Sequence, residues 1–364
     1  MSKRISAIDW IKLVLAGCVL CLHYGELVAP WMLGGAEIFR GGNLAVEGFF
    51  LISGFLFMQS LEKYERSGAY PACPKVVFHR YLGILYWLLP AVILDTVIVA
   101  TGVDQLSFFD TLVKTPWLLF EVVPLQMAGF SPWCVTGVSW YISALLLSVL
   151  FFYPPARRNP RAFARELCPI IAVLLYGLLF RLTGTLGSPG DWLFGVVRKG
   201  LVRGLADMAV GCFLYECIRA TKSEVVTGFR RALYTIAATV SAFVCLLIIV
   251  FAGGSVLDFV FVPCAFAFLY LAIGQKTVFA LFLNHDWSQH IGTVSTVVFL
   301  IHYPLARYFG IWYVAGDPLA YFGTYLLYVA VASAIVFAVG SGFKWLVRFF
   351  AERKEENDSE KEAL

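Results

Sequence analysis

The chain has 364 residues, of which 60% are hydrophobic and 14% charged, with a formal net charge of +4 and a mean hydropathy of +0.79. A soluble domain carries roughly 45–50% apolar and about 25% charged residues, so a water-soluble globule is excluded for want of polar surface to cover it. No basic stripe lies outside the loops that flank apolar runs, which excludes nucleic acid as a partner.

A hydrocarbon core of about 30 Å needs about 20 apolar helical residues. Spans of that kind are predicted near 7–28, 44–62, 78–101, 138–155, 167–184, 201–219, 231–252, 257–274, 291–313 and 320–348. The expected fold is an all-α, polytopic membrane helix bundle of about ten transmembrane helices. Residues 1–350 read as one membrane domain. Residues 351–364 read as a charged tail, expected to be disordered because it lacks large apolar side chains.

The first span follows a short basic start and has no A-x-A cleavage site, so it reads as a transmembrane helix rather than a leader. It carries four ionisable groups, Asp9, Lys12, His23 and Glu26. Asp9 and Lys12 are three apart and can pair. Lys12 and His23 are eleven apart, which on a helix is about 20° from a whole number of turns and about 16 Å along the axis. They share a face. A snorkelling lysine and a histidine satisfied by a carbonyl would explain the pair. So would a cation that receives a phosphorylated donor and a histidine that acts as general base. Cys18 and Cys21 have CxxC spacing without a second ligand pair, and no metal is expected.

The second span holds Glu47 and the run Phe49 to Phe55, in which Ser53-Gly54 permits close helix approach. The third opens with His79-Arg80-Tyr81-Leu82. Residues 112–128 are apolar but broken by Pro116 and Pro124, and read as re-entrant or interfacial. The 102–137 connection, with Trp117 and Trp133, is too apolar for a plain linker and is expected to cover a site. The fourth span opens with Ser139-Trp140-Tyr141-Ile142-Ser143. The sixth carries Arg203 and Asp207, an i, i+4 pair expected to bond each other. Asp191, Asp258, His285, Asp286 and His290 fall in loops or at span ends and are expected to be solvated. The ninth contains Phe299-Leu300-Ile301-His302-Tyr303-Pro304-Leu305.

Lys and Arg gather in alternate loops. Lys63, Arg66, Lys75, Arg157, Arg158, Arg219, Lys222, Lys276 and Lys344 fall on the side of the termini. Arg40, Lys114, Arg198 and Lys199 fall opposite. The positive-inside rule then puts both termini in the cytoplasm.

These segments together resemble the membrane acyltransferase-3 family. Asp9-Trp10-Ile11-Lys12, ten residues and His23 resemble its first-helix signature, with Lys12 where Arg is usual. Phe49 to Phe55 matches its FFxxSGF segment, with Glu47 where Asp is commoner. His79 to Leu82 resembles its third-span arginine motif, with Gly83 in place of the second arginine. Trp140 to Ser143 resembles its W-x-x-S segment, with Leu145 where many members have glutamate. Phe299 to Leu305 resembles its YLIHxPL segment.

The resemblance implies an enzyme, an acyltransferase of the cell membrane, here the inner or plasma membrane of a bacterium. It would move an acyl group, commonly acetyl, from cytoplasmic acyl-CoA (acetyl-CoA) to a hydroxyl of an extracytoplasmic glycan or cell-envelope acceptor. By that resemblance His23, Glu47 and Asp9 are the catalytic candidates. Lys12, Arg80, Ser53 and Gly54 would hold the donor, and Trp140 and His302 would line the substrate pocket, although an interfacial Trp and a structural His remain open. The other reading of buried His, Lys and Glu is a transporter or exporter with a proton or substrate path. No inverted repeat is visible in the chain to favour it.

Overall fold

The computed structural model describes residues 5–130, 134–224, 226–279, 288–313 and 317–362. Among them are ten helices of 16 residues or more. They are α1 (Ser6–Leu27), α2 (Ala45–Ser67), α3 (Cys73–Val97), α4 (Trp140–Arg158) and α5 (Cys168–Thr183). Next come α6 (Lys199–Ala220), α7 (Gly228–Phe251), α8 (Asp258–Ile273), α9 (Ser288–Trp312) and α10 (Pro318–Glu362). The four strands, two residues each, form two hairpins, in the α1–α2 and α5–α6 connections.

Among the described residues, seven helices are long and apolar enough to cross a bilayer. α8 is apolar but has only 16 residues. α4 and α6 bury most of their length against neighbours, so they accommodate serines and charges that lipid would not. α7 is the opposite case: only 22% of its most apolar stretch is buried, against 78% for α2. Its Ile236, Val240 and Phe243 face outward, as a lipid-bathed helix requires.

The bundle has two distinct ends. At the end of the termini, the Tyr215 hydroxyl donates to Glu62 (2.6 Å), Tyr153 donates to the Pro71 carbonyl (2.6 Å) and Lys276 pairs with Glu224 (2.7 Å). At the far end, Arg307 pairs with Asp104 (3.1 Å) and Tyr24 donates to the Pro318 carbonyl (2.7 Å). Asp258 also lies there, and it corrects the solvated reading. It is fully buried, and accepts from Thr185 Oγ1 (2.6 Å) and the Leu186 N–H (2.9 Å), tying α8 to the end of α5. Asp191 and His290 are exposed, whereas His285 and Asp286 lie outside the described residues.

The apolar 102–137 connection folds into short helical turns at Phe108–Lys114, Thr115–Leu118 and Leu119–Val122 and does not span. Phe108, Phe109 and Leu112 stand exposed on it, the pattern of a segment lying in the interface. Trp133 lies outside the described residues. α10 continues to Glu362 through the charged tail for which composition predicts disorder; Glu, Lys and Ala are strong helix formers, and they carry the helix on.

α2 is the central helix, and its tightest crossing is with α6. A Cβ on Gly54 would collide with the Met208 carbonyl oxygen, and one on Gly211 with the Leu51 carbonyl oxygen. Cys212 Sγ lies 3.6 Å from the Gly54 carbonyl. Between membrane helices the hydrophobic effect contributes little, so such close backbone packing supplies the association energy. Gly54→Val or Gly211→Val is expected to cost about 3 kcal/mol, the upper range for overpacking. Thermal unfolding in detergent checks this. Gly83→Ala, at an exposed position with open space around its α-carbon, should leave the midpoint unchanged or slightly raised.

Candidate active site

α1 and α9 run parallel and in contact, because Gly310 has no side chain to hold it off the Leu27 carbonyl. Further down the pair, His23 Nδ1 lies 2.9 Å from His302 Nε2. The rings are nearly parallel, 5.1 Å apart. His302 is fully buried and its Nδ1 lies 3.1 Å from the Val298 carbonyl oxygen.

That carbonyl settles the proton positions. A carbonyl only accepts, so His302 Nδ1 carries a hydrogen. The Nε2 of the neutral His302 ring is then an acceptor, and His23 Nδ1 must be the donor to it. His23 Nε2 is left with its lone pair, the form a general base needs. The carbonyl of His302 itself accepts from the Tyr325 hydroxyl at 2.9 Å, which fixes the α9 backbone to α10.

Tyr303 meets His23 edge-on, 4.8 Å between ring centres. Over Tyr303 lies Gly137, whose φ of +68° suits glycine and where a Cβ would strike the tyrosine ring. The 102–137 connection therefore reaches the tyrosine that flanks His23, as a cover would. Glu121 holds it in place. This buried carboxylate accepts from the Val135 N–H (2.9 Å), the Thr136 N–H (3.0 Å) and hydroxyl, and the Ser139 hydroxyl (2.7 Å). Burial and the Glu121 charge push the Cys134 thiol up to about 12, so it stays protonated and donates to Glu121 at 3.1 Å.

On the side of the termini, Arg80 is half-buried near the start of α3. It donates to Ser60 Oγ (3.3 Å) and lies over the Phe57 ring at 5.5 Å. Ser53 donates to the Phe49 carbonyl (2.8 Å), so the Tyr141 hydroxyl, 3.0 Å away, donates to Ser53. Ser53 thus positions Tyr141, and Gly54 serves the α2–α6 crossing. Lys12 is half-buried on the α1 face of His23, with buried Ala16 and Val19 between them. Asp9 is buried in the first turn of α1, about 21 Å from His23 along the helix. It shares a turn with Lys12 rather than a site with the histidines.

Glu47 does not bond His23 in this structure. It is fully buried and takes a forked pair of bonds from Arg203, with Nη2 at 2.6 and 2.8 Å and Nε at 3.0 Å. The Trp140 ring lies 5.4 Å from that guanidinium. Asp207, expected to pair with Arg203 on its own helix, accepts instead from the Tyr176 hydroxyl. A bidentate carboxylate on α2 outcompetes the one-sided geometry of an i, i+4 neighbour. Trp140 therefore stacks on the ion pair that joins α2 to α6.

Two apolar clefts, of about 220 and 440 Å³, open on the outside of the bundle. The first is lined by Trp10, Val14 and Cys18 of α1, on the helix face opposite Lys12 and His23. Neither is lined by either histidine or by Arg80. No cluster of three or more metal-ligating side chains occurs among the described residues. The resemblance brought His23 and His302 to notice separately; their contact was not visible in it.

Breaking the Glu47–Arg203 pair should show as lost stability. Glu47→Gln or Arg203→Met alone leaves a buried polar group stranded and is expected to cost about 3–5 kcal/mol. Glu47→Leu combined with Arg203→Met should recover most of it. Single variants that unfold at the wild-type midpoint in detergent would contradict this.

No curated protein and no solved structure matches the chain. A family model does: that of the acyltransferase-3 family, described as an acyltransferase domain, matches residues 5–340. The chain is a multi-pass membrane protein of the acyltransferase-3 family.

Proposed function

We propose that this acyltransferase moves a short acyl group, acetyl first of all, from acyl-CoA in the cytoplasm to a hydroxyl of a glycan or other cell-envelope acceptor on the far side of a bacterial cell membrane. The observation that carries the reading is the hydrogen-bonded series from the Val298 carbonyl through His302 to His23. It presents an unprotonated Nε2 within a membrane bundle. The basic loops at the end of the termini favour a cytoplasmic placement of that end, with ten helices crossing.

In this scheme CoA phosphates meet Lys12 and Arg80, near the cytoplasmic end. Lysine serves there as a point charge and Arg80 as a forked donor. The pantetheine arm runs up the polar side of α1 towards His23. His23 Nε2 takes the proton of the acceptor hydroxyl while the oxygen attacks the thioester carbonyl. The tetrahedral species collapses with loss of the C–S bond, and the imidazolium returns its proton to the departing CoA thiolate. The imidazolium keeps its Nδ1–H on His302 throughout. His302 is thus a positioning residue, and the Val298 carbonyl is what sets its tautomer.

Purified protein is assayed for CoA release from acetyl-CoA and for transfer to a panel of glycans. His23→Ala is expected to lower the rate by about 10²–10⁴-fold, the range for loss of a general base. Equal CoA release from wild type and variant would sink the mechanism.

His302→Leu should lower kcat with little change in KM for acetyl-CoA. His302→Gln should restore part of the loss, because its amide oxygen can accept from His23 Nδ1–H as the imidazole does. If Leu and Gln at 302 behave alike, His302 acts only by packing.

A further inference from the structure

Three aromatic rings lie between the two polar ends of the site. Phe49 and Tyr141 are 5.9 Å apart between ring centres, Phe49 and Phe299 5.5 Å, and Tyr141 and Phe299 5.7 Å. They come from three helices, α2, α4 and α9, and form a nearly equilateral triangle. Centres at these distances are in van der Waals contact, which leaves no opening the width of a polymethylene or pantetheine chain.

The axial order follows from the helices. α2 descends from Phe49 through Ser53 and Phe57 to Ser60, which carries Arg80. The Tyr141 hydroxyl reaches Ser53 on that lower side. On the upper side, Phe299 lies one turn below His302, with ring centres 5.9 Å apart. The triangle therefore separates the Arg80 end from the histidine pair. The Tyr141 ring is pinned by its bond to Ser53, and the Phe49 carbonyl is held by the same serine. Neither phenylalanine makes such a bond through its ring, and Phe299 is the ring that also meets His302.

We infer that Phe49, Tyr141 and Phe299 form a septum across the passage, which selects donors by the cross-section of the acyl group rather than by its length. A thioester that enters from the Arg80 end must pass the three rings before its carbonyl reaches His23. A linear acyl group, leading the pantetheine arm, passes through the gap that opens when Phe299 swings. An acyl group branched at the carbon next to the carbonyl, or an aromatic one, is stopped. Between passages the closed rings keep water and protons from crossing. The donor part of this inference rests on the proposed acyl transfer; the sealing part does not.

Two measurements on Phe299→Leu, Phe299→Ala and Phe49→Ala/Phe299→Ala test it. The leucine variant trims the ring yet keeps an apolar filling, so it reports even if the alanine proteins fold poorly. The first compares kcat/KM for acetyl-CoA, butyryl-CoA, isobutyryl-CoA and benzoyl-CoA. Wild type is expected to use acetyl and butyryl donors and to discriminate against isobutyryl and benzoyl. The variants should narrow the butyryl-to-isobutyryl ratio at least tenfold. The second follows decay of an imposed pH step across protein-containing vesicles loaded with a pH-sensitive dye. Wild type should match protein-free vesicles, and the double variant should leak several-fold faster.

Tight wild-type vesicles, a leaky double variant and no use of any acyl-CoA would overturn the transfer reading and leave the septum standing. Unchanged donor ratios together with an unchanged leak in the variants would overturn the septum. A wild-type protein as leaky as the double variant would do the same.

Discussion

A hydrocarbon core contains no water, so a charged side chain placed in it is costly unless another protein group answers it. That requirement governs where the helices of this protein lie. Arg203 is matched by Glu47 and Asp207 by Tyr176. His23 is matched by His302, which in turn is matched by a backbone carbonyl. The three side-chain matches each join two different helices. The glycine crossing of α2 with α6 brings the backbones close enough for the Glu47–Arg203 fork to close. The fork in turn leaves Trp140 stacked at the start of α4, beside Tyr141. The histidine pair thus sits where polar groups are satisfied that lipid cannot satisfy.

The same logic explains which parts were legible in the amino-acid sequence. The ten apolar runs stand out because a lipid-facing surface must be apolar, and each coincides with a helix in the structure. Charged residues inside those runs stand out for the same reason, so His23, Glu47, Arg203 and Asp207 could all be flagged. Ordered matches over the first, second, third, fourth and ninth spans carried the family. Partner choice was hidden. His23 and His302 are 279 positions apart and Glu47 and Arg203 156 apart, and no local spacing encodes either pair. The local rule pointed instead to Arg203 with Asp207. Helix periodicity says which residues share a face but not which neighbour that face meets. Asp258 was misjudged likewise: a carboxylate at a span end reads as wet until the loop that covers it is known.

α1 illustrates how one helix serves two environments. Lys12, Ala16 and His23 occupy one face and look into the bundle, while Trp10, Val14 and Cys18 occupy the other and line an apolar cleft. The buried Ala16 lies on that side between the cation and the histidine, which are about 16 Å apart along the axis. Helix pitch alone therefore sets the spacing of the lysine and the histidine on this face.

The parallel pairing of α1 with α9 also has a bearing on how the protein is made. His23 is synthesised early, and its partner comes 279 residues later. At chain growth of about 5–20 residues per second, the first helix waits roughly fifteen seconds to a minute before the ninth arrives. Through that interval His23 has no imidazole to set its tautomer, and Phe299 is absent from the ring triangle. A nascent or truncated chain is then a membrane protein in which neither the histidine pair nor the ring triangle is complete. The polar face of α1 is accordingly without this partner until the last two helices are made, and a stop codon anywhere before position 302 yields a chain in which His23 lacks it for good.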